Sequence, residues 1–199
     1  MGFNISGVAI NKNYKDNWQE LQNKFGWTLK KKADISFEEA AANWKDEGIC
    51  DVYFSEKGTL MFISIDRCLE SWALKDADTL TFALSETSMA FNLNYCEKGE
   101  VERSIMEVNG DRMTDEGERL EAEDRSEDIS DLIFNQMAVV LGKSFWSIEP
   151  GESAERYVFV QEAPSYPASE PELTVAGLES PQFESSVTSA SKKWWQFWK

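Results

Sequence analysis

A stretch of alternating side chains, Met89-Ala90-Phe91-Asn92-Leu93-Asn94-Tyr95, sets the terms for everything around it. Successive side chains leave opposite faces of an extended strand, so a period of two marks a strand with one face buried. A short polar loop around Gly99 leads to a second strand over 101–108, and Asn109-Gly110 follows. Both of those residues tolerate positive φ, which makes the pair a tight-turn signal. Residues 79–110 therefore predict a β-hairpin at the centre of an antiparallel sheet.

Helical spacing appears on either side of that hairpin. Tyr14, Trp18, Leu21 and Phe25 predict a helix over 14–25, capped by Asn13 and closed by Gly26. Ser36-Phe37-Glu38-Glu39 is a capping box opening a helix over 36–47, with Phe37, Ala40, Ala41 and Trp44 inward. Trp18 and Trp44 are expected as core anchors. A third helix over 129–141 starts at Asp128 or Ser130, is buried by Ile129, Leu132, Ile133, Phe134, Met137, Val140 and Leu141, and ends at Gly142. Expected strands are 3–10, a short one at 27–29 before Lys30-Lys31-Lys32, a hairpin of 50–55 with 59–65, and 156–160. A short helix is expected over 66–72. From Asp111 to Asp131 the chain is polar and acidic without apolar period, and it predicts a long surface loop with a short strand at 119–122.

The fold class expected is α+β, with a mixed, mainly antiparallel sheet, about three packing helices and a disordered C-terminal tail. The domain spans 1–161, long enough at about 160 residues to bury roughly two-thirds of the surface of its unfolded chain. Composition changes at Glu162. Four of the five prolines and seven serines follow, which predicts a disordered linker over 162–191. The linker leads to Lys192-Lys193-Trp194-Trp195-Gln196-Phe197-Trp198-Lys199.

Charge narrows the function. With 36 acidic and 20 basic residues the formal charge is −16, which argues against nucleic acid as a partner, since phosphates call for a basic face. There is no histidine, so Ser-His-Asp triads, Cys-His dyads and histidine-ligated metals drop out. Walker and GxGxxG loops are missing. No catalytic residue, metal ligand set or cofactor is assigned, and the reading leans away from an enzyme. Cys50, Cys68 and Cys96 are odd in number and lie among apolar residues, the pattern of reduced, buried thiols, and point to the cytoplasm. No signal peptide and no membrane span are expected. Gly2 and Ser6 fit a myristoylation pattern, but the first strand is the preferred reading.

Three features remain as candidates. Glu116, Glu118, Glu121, Glu123, Asp124, Glu127, Asp128 and Asp131 could gather a hard cation, although no EF-hand register is present. A cleft is expected around Glu86, Tyr95 and Arg103, with Glu86 able to pair with Arg103 across the hairpin. The terminal Lys192, Lys193, Trp194, Trp195, Phe197 and Trp198 form a docking motif, since tryptophans on a linker favour interfaces. Its target is another protein, a membrane surface met weakly, or the chain's own acidic body. The expected function is a non-catalytic binding protein, of acidic inhibitor or immunity type, for a partner with a basic or hydrophobic surface. The alternatives are a peripheral membrane protein held by the tail and a metal-dependent hydrolase using 111–131.

Overall fold

Strand β1, Asn4–Ile10, runs through the middle of a nine-stranded sheet. The computed structural model of the chain describes residues 3–160. In chain order β1 is followed by α1 (Trp18–Phe25), β2 (Leu29–Ser36), α2 (Phe37–Ala41), β3 (Ile49–Phe54), β4 (Thr59–Ile63), β5 (Thr79–Ser85), β6 (Ala90–Glu97), β7 (Glu100–Val108), β8 (Asp111–Gly117), α3 (Ile129–Leu141) and β9 (Ser153–Phe159). Short 3₁₀ turns occupy Ile65–Cys68, Glu121–Arg125 and Phe145–Ser147. The sheet order is β2-β9-β3-β4-β1-β5-β6-β7-β8. Every pairing is antiparallel, so the parallel part implied by a mixed sheet is absent among the described strands. The α+β class stands, weighted toward sheet.

The central strands are apolar on both faces because both faces are covered. Ile5 and Ala9 of β1, Leu60 and Phe62 of β4, and Leu80, Phe82 and Leu84 of β5 join one apolar layer with α2 and α3. Val8, Ile10, Met61, Ile63 and Ala83 enter a second layer with α1. Gly7 marks the tightest approach in this region, where an added Cβ would overlap the Met61 carbonyl oxygen of β4. The hairpin β6–β7 is present and alternates as expected, with Phe91 and Leu93 in the α3 layer. It lies toward one end of the sheet, however, and the centre belongs to β1. Met89 is half exposed in the preceding turn, at positive φ, rather than in the strand.

Helix α3 keeps its expected bounds. Asp128 accepts a hydrogen bond from the Asp131 N–H at 2.8 Å, and Gly142 closes the helix in the left-handed conformation. Helix α1 starts later than Asn13 suggested. Asn13 Oδ1 instead accepts from the Lys15 N–H in a local turn, while Tyr14 drops into the core. Helix α2 has its capping box but stops at Ala41. Asn43 takes φ of 109°, and Lys45 turns back to Asp51, with Nζ 3.3 Å from the carboxylate. Asp51 is fully buried and takes a two-pronged bond from Arg156 at 2.7 and 2.8 Å. A buried carboxylate left without cations is costly, and the chain leaves the helix where Lys45 reaches it. Trp44 therefore sits in a loop, half-buried, and Trp18 is half-buried against Phe54 and Tyr157, so neither is a central core residue.

Two segments expected as loop or strand end are full strands. The lysines 30–32 lie within β2, which pairs with β9 from Leu29 to Ser36 with a bulge at Lys32. Residues 111–117 are strand β8, paired to β7, and the strand expected at 119–122 is instead the 3₁₀ turn Glu121–Arg125. The expected helix over 66–72 is reduced to the turn Ile65–Cys68, which carries Cys68 inward. All three cysteines are buried and unpaired. Among the described residues no helix is long and apolar enough to cross a membrane. The 162–191 linker and the 192–199 motif lie outside the described residues.

Candidate interaction surfaces

Glu86, Tyr95 and Arg103 do not form one cleft. Tyr95 and Arg103 are register partners across β6 and β7. Tyr95 faces Leu80 near the start of β5, whereas Glu86 follows the end of that strand, so about six residues, or roughly 20 Å of extended chain, separate them. Glu86 has a different task. Its carboxylate accepts from the Phe3 N–H at 2.9 Å and from Ser130 Oγ at 3.3 Å, tying the entry of β1 and the first turn of α3 to the β5–β6 turn. Burial pushes the Tyr95 phenol up to about 12, helped by Asp78, Glu97 and Glu102 nearby.

The partner of Arg103 is Glu123, not Glu86. Nε and Nη2 of Arg103 meet the two Glu123 oxygens at 2.8 and 3.1 Å, in the fork geometry that a guanidinium and a carboxylate share. Nη1 also donates to the Glu116 carbonyl at 3.0 Å and lies 2.6 Å from Asp115. The Glu123 hydrogen bonds raise the Arg103 pKa. Burial works to raise that of Glu123, and the Arg103 bond and the Leu120 N–H overcome it, leaving the carboxyl below its ordinary value. Arg103 is thus a buried pin that fastens β8 and the 121–125 turn onto the sheet.

Around this pin the acidic segment becomes an ordered surface. A cleft of about 640 Å³ opens between β8 and the start of α3, lined by Arg103, Arg112, Arg119, Asp115, Glu123 and Asp128. Arginines take up carboxylates in and beside it: Asp115 also lies 3.5 Å from Arg112, and Asp124, outside the cleft, lies 3.1 Å from Arg119. Among the described residues no group of three or more Asp, Glu, Cys or His side chains is placed to hold a metal ion. Among the described residues the outer edge of β8 has no neighbouring strand, and its residues from Asp111 to Gly117 are exposed or nearly so. The opposite edge, β2, carries exposed Lys30, Lys31 and Lys32. One rim of the sheet is therefore acidic and the other basic.

A second concavity was missed from sequence. Phe3, Phe37, Ala41, Phe145, Trp146 and Pro150 line an apolar groove of about 620 Å³. Trp146 is 62 % exposed there. The signal was available: Phe145 and Trp146 are neighbours in a three-residue turn, and adjacent side chains there cannot both point into one core. The motif residues Lys192, Lys193, Trp194, Trp195, Phe197 and Trp198 lie outside the described residues. Comparison with protein-family models, curated proteins and solved structures finds no match.

Proposed function

We propose that this chain is a non-catalytic binding protein, of acidic inhibitor or immunity type, that offers the β8 edge and the 121–128 segment to a basic partner. The observation that carries the reading is the outer edge of β8, which has no strand neighbour among the described residues. Its outward N–H and C=O groups are open to an added strand, and Asp111, Asp115 and Glu116 stand along it. Two such acidic edges repel each other, which discourages self-pairing and favours a basic segment. Arg103 supports the reading by holding that edge in place from beneath. In the same proposal the Lys192–Lys199 motif supplies a second contact with a protein, and the buried, unpaired cysteines favour the cytoplasm.

The test is affinity capture from the native cell with the full chain and with a Glu116→Lys, Glu118→Lys, Glu121→Lys variant. Loss of the captured partner on charge reversal is the expected result. An unchanged set of captured proteins removes the acidic edge from the function. The peripheral-membrane reading rests on four aromatics and three lysines within the last eight residues. Flotation with anionic vesicles decides it: no binding at low salt ends that reading.

A further inference from the structure

The apolar groove between α2 and the 145–150 segment shares no residue with the β8 edge, and its chemistry points elsewhere. Its walls are fixed by main-chain bonds. The Phe37 N–H donates to Glu152 O at 2.8 Å and the Glu38 N–H to Pro150 O at 3.0 Å, so the two sides cannot drift apart. Trp146 stands at the lip, and three rings set its orientation: Phe134 at 4.7 Å and Phe3 and Phe145 each at 5.3 Å between centroids. An exposed tryptophan that is already immobilised loses little freedom on binding, which is the character of an interface anchor.

The rim states what kind of occupant fits. Glu38 and Glu149 border the groove, both exposed, and neither is in an ion pair among the described residues. Their neighbours are already engaged: Glu39 closes the capping box of α2, and Glu152 holds Lys143 at 2.7 Å and the Tyr53 hydroxyl at 2.6 Å. Two free carboxylates beside an apolar floor repel an anionic lipid surface and attract a cation. We propose that this groove is a docking site for a partner-protein segment with an aromatic or large aliphatic side chain flanked by lysine or arginine. The apolar side chain lies on the floor against Trp146, and the cationic groups meet Glu38 and Glu149. A volume of this size takes one or two large side chains, which makes the ligand a short peptide segment rather than a flat surface.

The probe is a fluorescein-labelled peptide, GKKWLFKG, titrated with the full chain and followed by anisotropy. Saturable binding with Kd of about 10–100 μM is expected, the range of short peptide contacts with one anchor. Trp146→Ala weakens it by about tenfold or more. Ala42→Arg, an exposed substitution that fills the groove and leaves the core alone, does the same and guards against misfolding of the first variant. Glu38→Gln with Glu149→Gln weakens binding about threefold and flattens its dependence on salt. Absence of saturable binding overturns the proposal, as does binding indifferent to these variants. So does equal binding of a peptide with glutamates in place of its lysines. A full chain with Trp194, Trp195, Phe197 and Trp198 all changed to alanine completes the test. Binding seen only with that chain assigns the groove to the terminal motif and overturns an external partner.

Discussion

Replacing Arg103 by methionine keeps an unbranched apolar stem in place of the arginine's and removes every charge-assisted bond it makes. Three acceptors lose their donor at once: the Glu123 carboxylate, the Asp115 carboxylate and the Glu116 carbonyl. Breaking a buried pair by deleting one partner costs about 3–5 kcal/mol, because the other charge is left in a poor medium. The lower end applies here. Glu123 keeps the Leu120 N–H at 2.9 Å, and Asp115 is half exposed and turns to water. The expected loss is therefore about 3 kcal/mol. With a urea slope of about 2 kcal/mol/M for a domain of this size, the unfolding midpoint falls by roughly 1.5 M. Glu123→Gln alone loses less, and the double variant loses less than the sum of the two, with a coupling of about 1.5 kcal/mol. Hydrogen exchange should show β8 amides opening first. A loss below about 1 kcal/mol for Arg103→Met, or strict additivity with Glu123→Gln, refutes the pin.

Gly7→Ala forces a methyl onto the Met61 carbonyl in the central strand pair, and a loss of about 2–4 kcal/mol should appear as a thermal midpoint several degrees lower. An unchanged midpoint refutes the close approach. The pair Lys143–Glu152 carries a pH dependence. Lys143, the Tyr53 hydroxyl and the Glu149 N–H hold the Glu152 carboxyl down to about 2, against 4.5 in its ordinary state. A carboxyl lowered on folding contributes stability above its unfolded value and loses it as pH falls toward about 2. Glu152→Gln should therefore flatten the stability curve in that acid window, and identical slopes there refute the assignment. Cys50, Cys68 and Cys96 are buried and burial raises all three thiols, so a thiol reagent at pH 8 should label them only as the protein unfolds. Rapid labelling of any one in the folded protein contradicts their placement.

Several local signals were legible, although the Asn13 turn that delays α1 was not. Asp128 and Gly142 frame α3 because a cap and a left-handed stop act within one turn. The turn Asn109-Gly110 has positive φ at both residues, and the hairpin β3–β4 closes around Gly58. Outcomes decided at a distance were not legible. Strand β2 has exposed lysines and no apolar alternation, and it is a strand because β9 pairs with it. Strand β8 is polar for the same reason: it is an edge, held by β7 and by Arg103. The Glu86–Arg103 pair failed on the same ground, since Glu123 is delivered to Arg103 by a turn whose position depends on α3 and β8. The groove needed β1, α2 and 145–150 in one place, which no spacing along the chain announces.

The insertion of β9 between β2 and β3 governs how the molecule is made. Lys31 and Glu155, bridged at 2.7 Å across that seam, are 124 residues apart in the chain. A growing chain can zip its middle hairpins early, but β2 waits for its one strand neighbour among the described residues until residues 153–159 leave the ribosome. Until then a lysine-bearing strand and the flank of β3 stand open together. A chain broken ahead of Ser153 lacks the one strand that pairs with both β2 and β3, so the seam between them has nothing to close it.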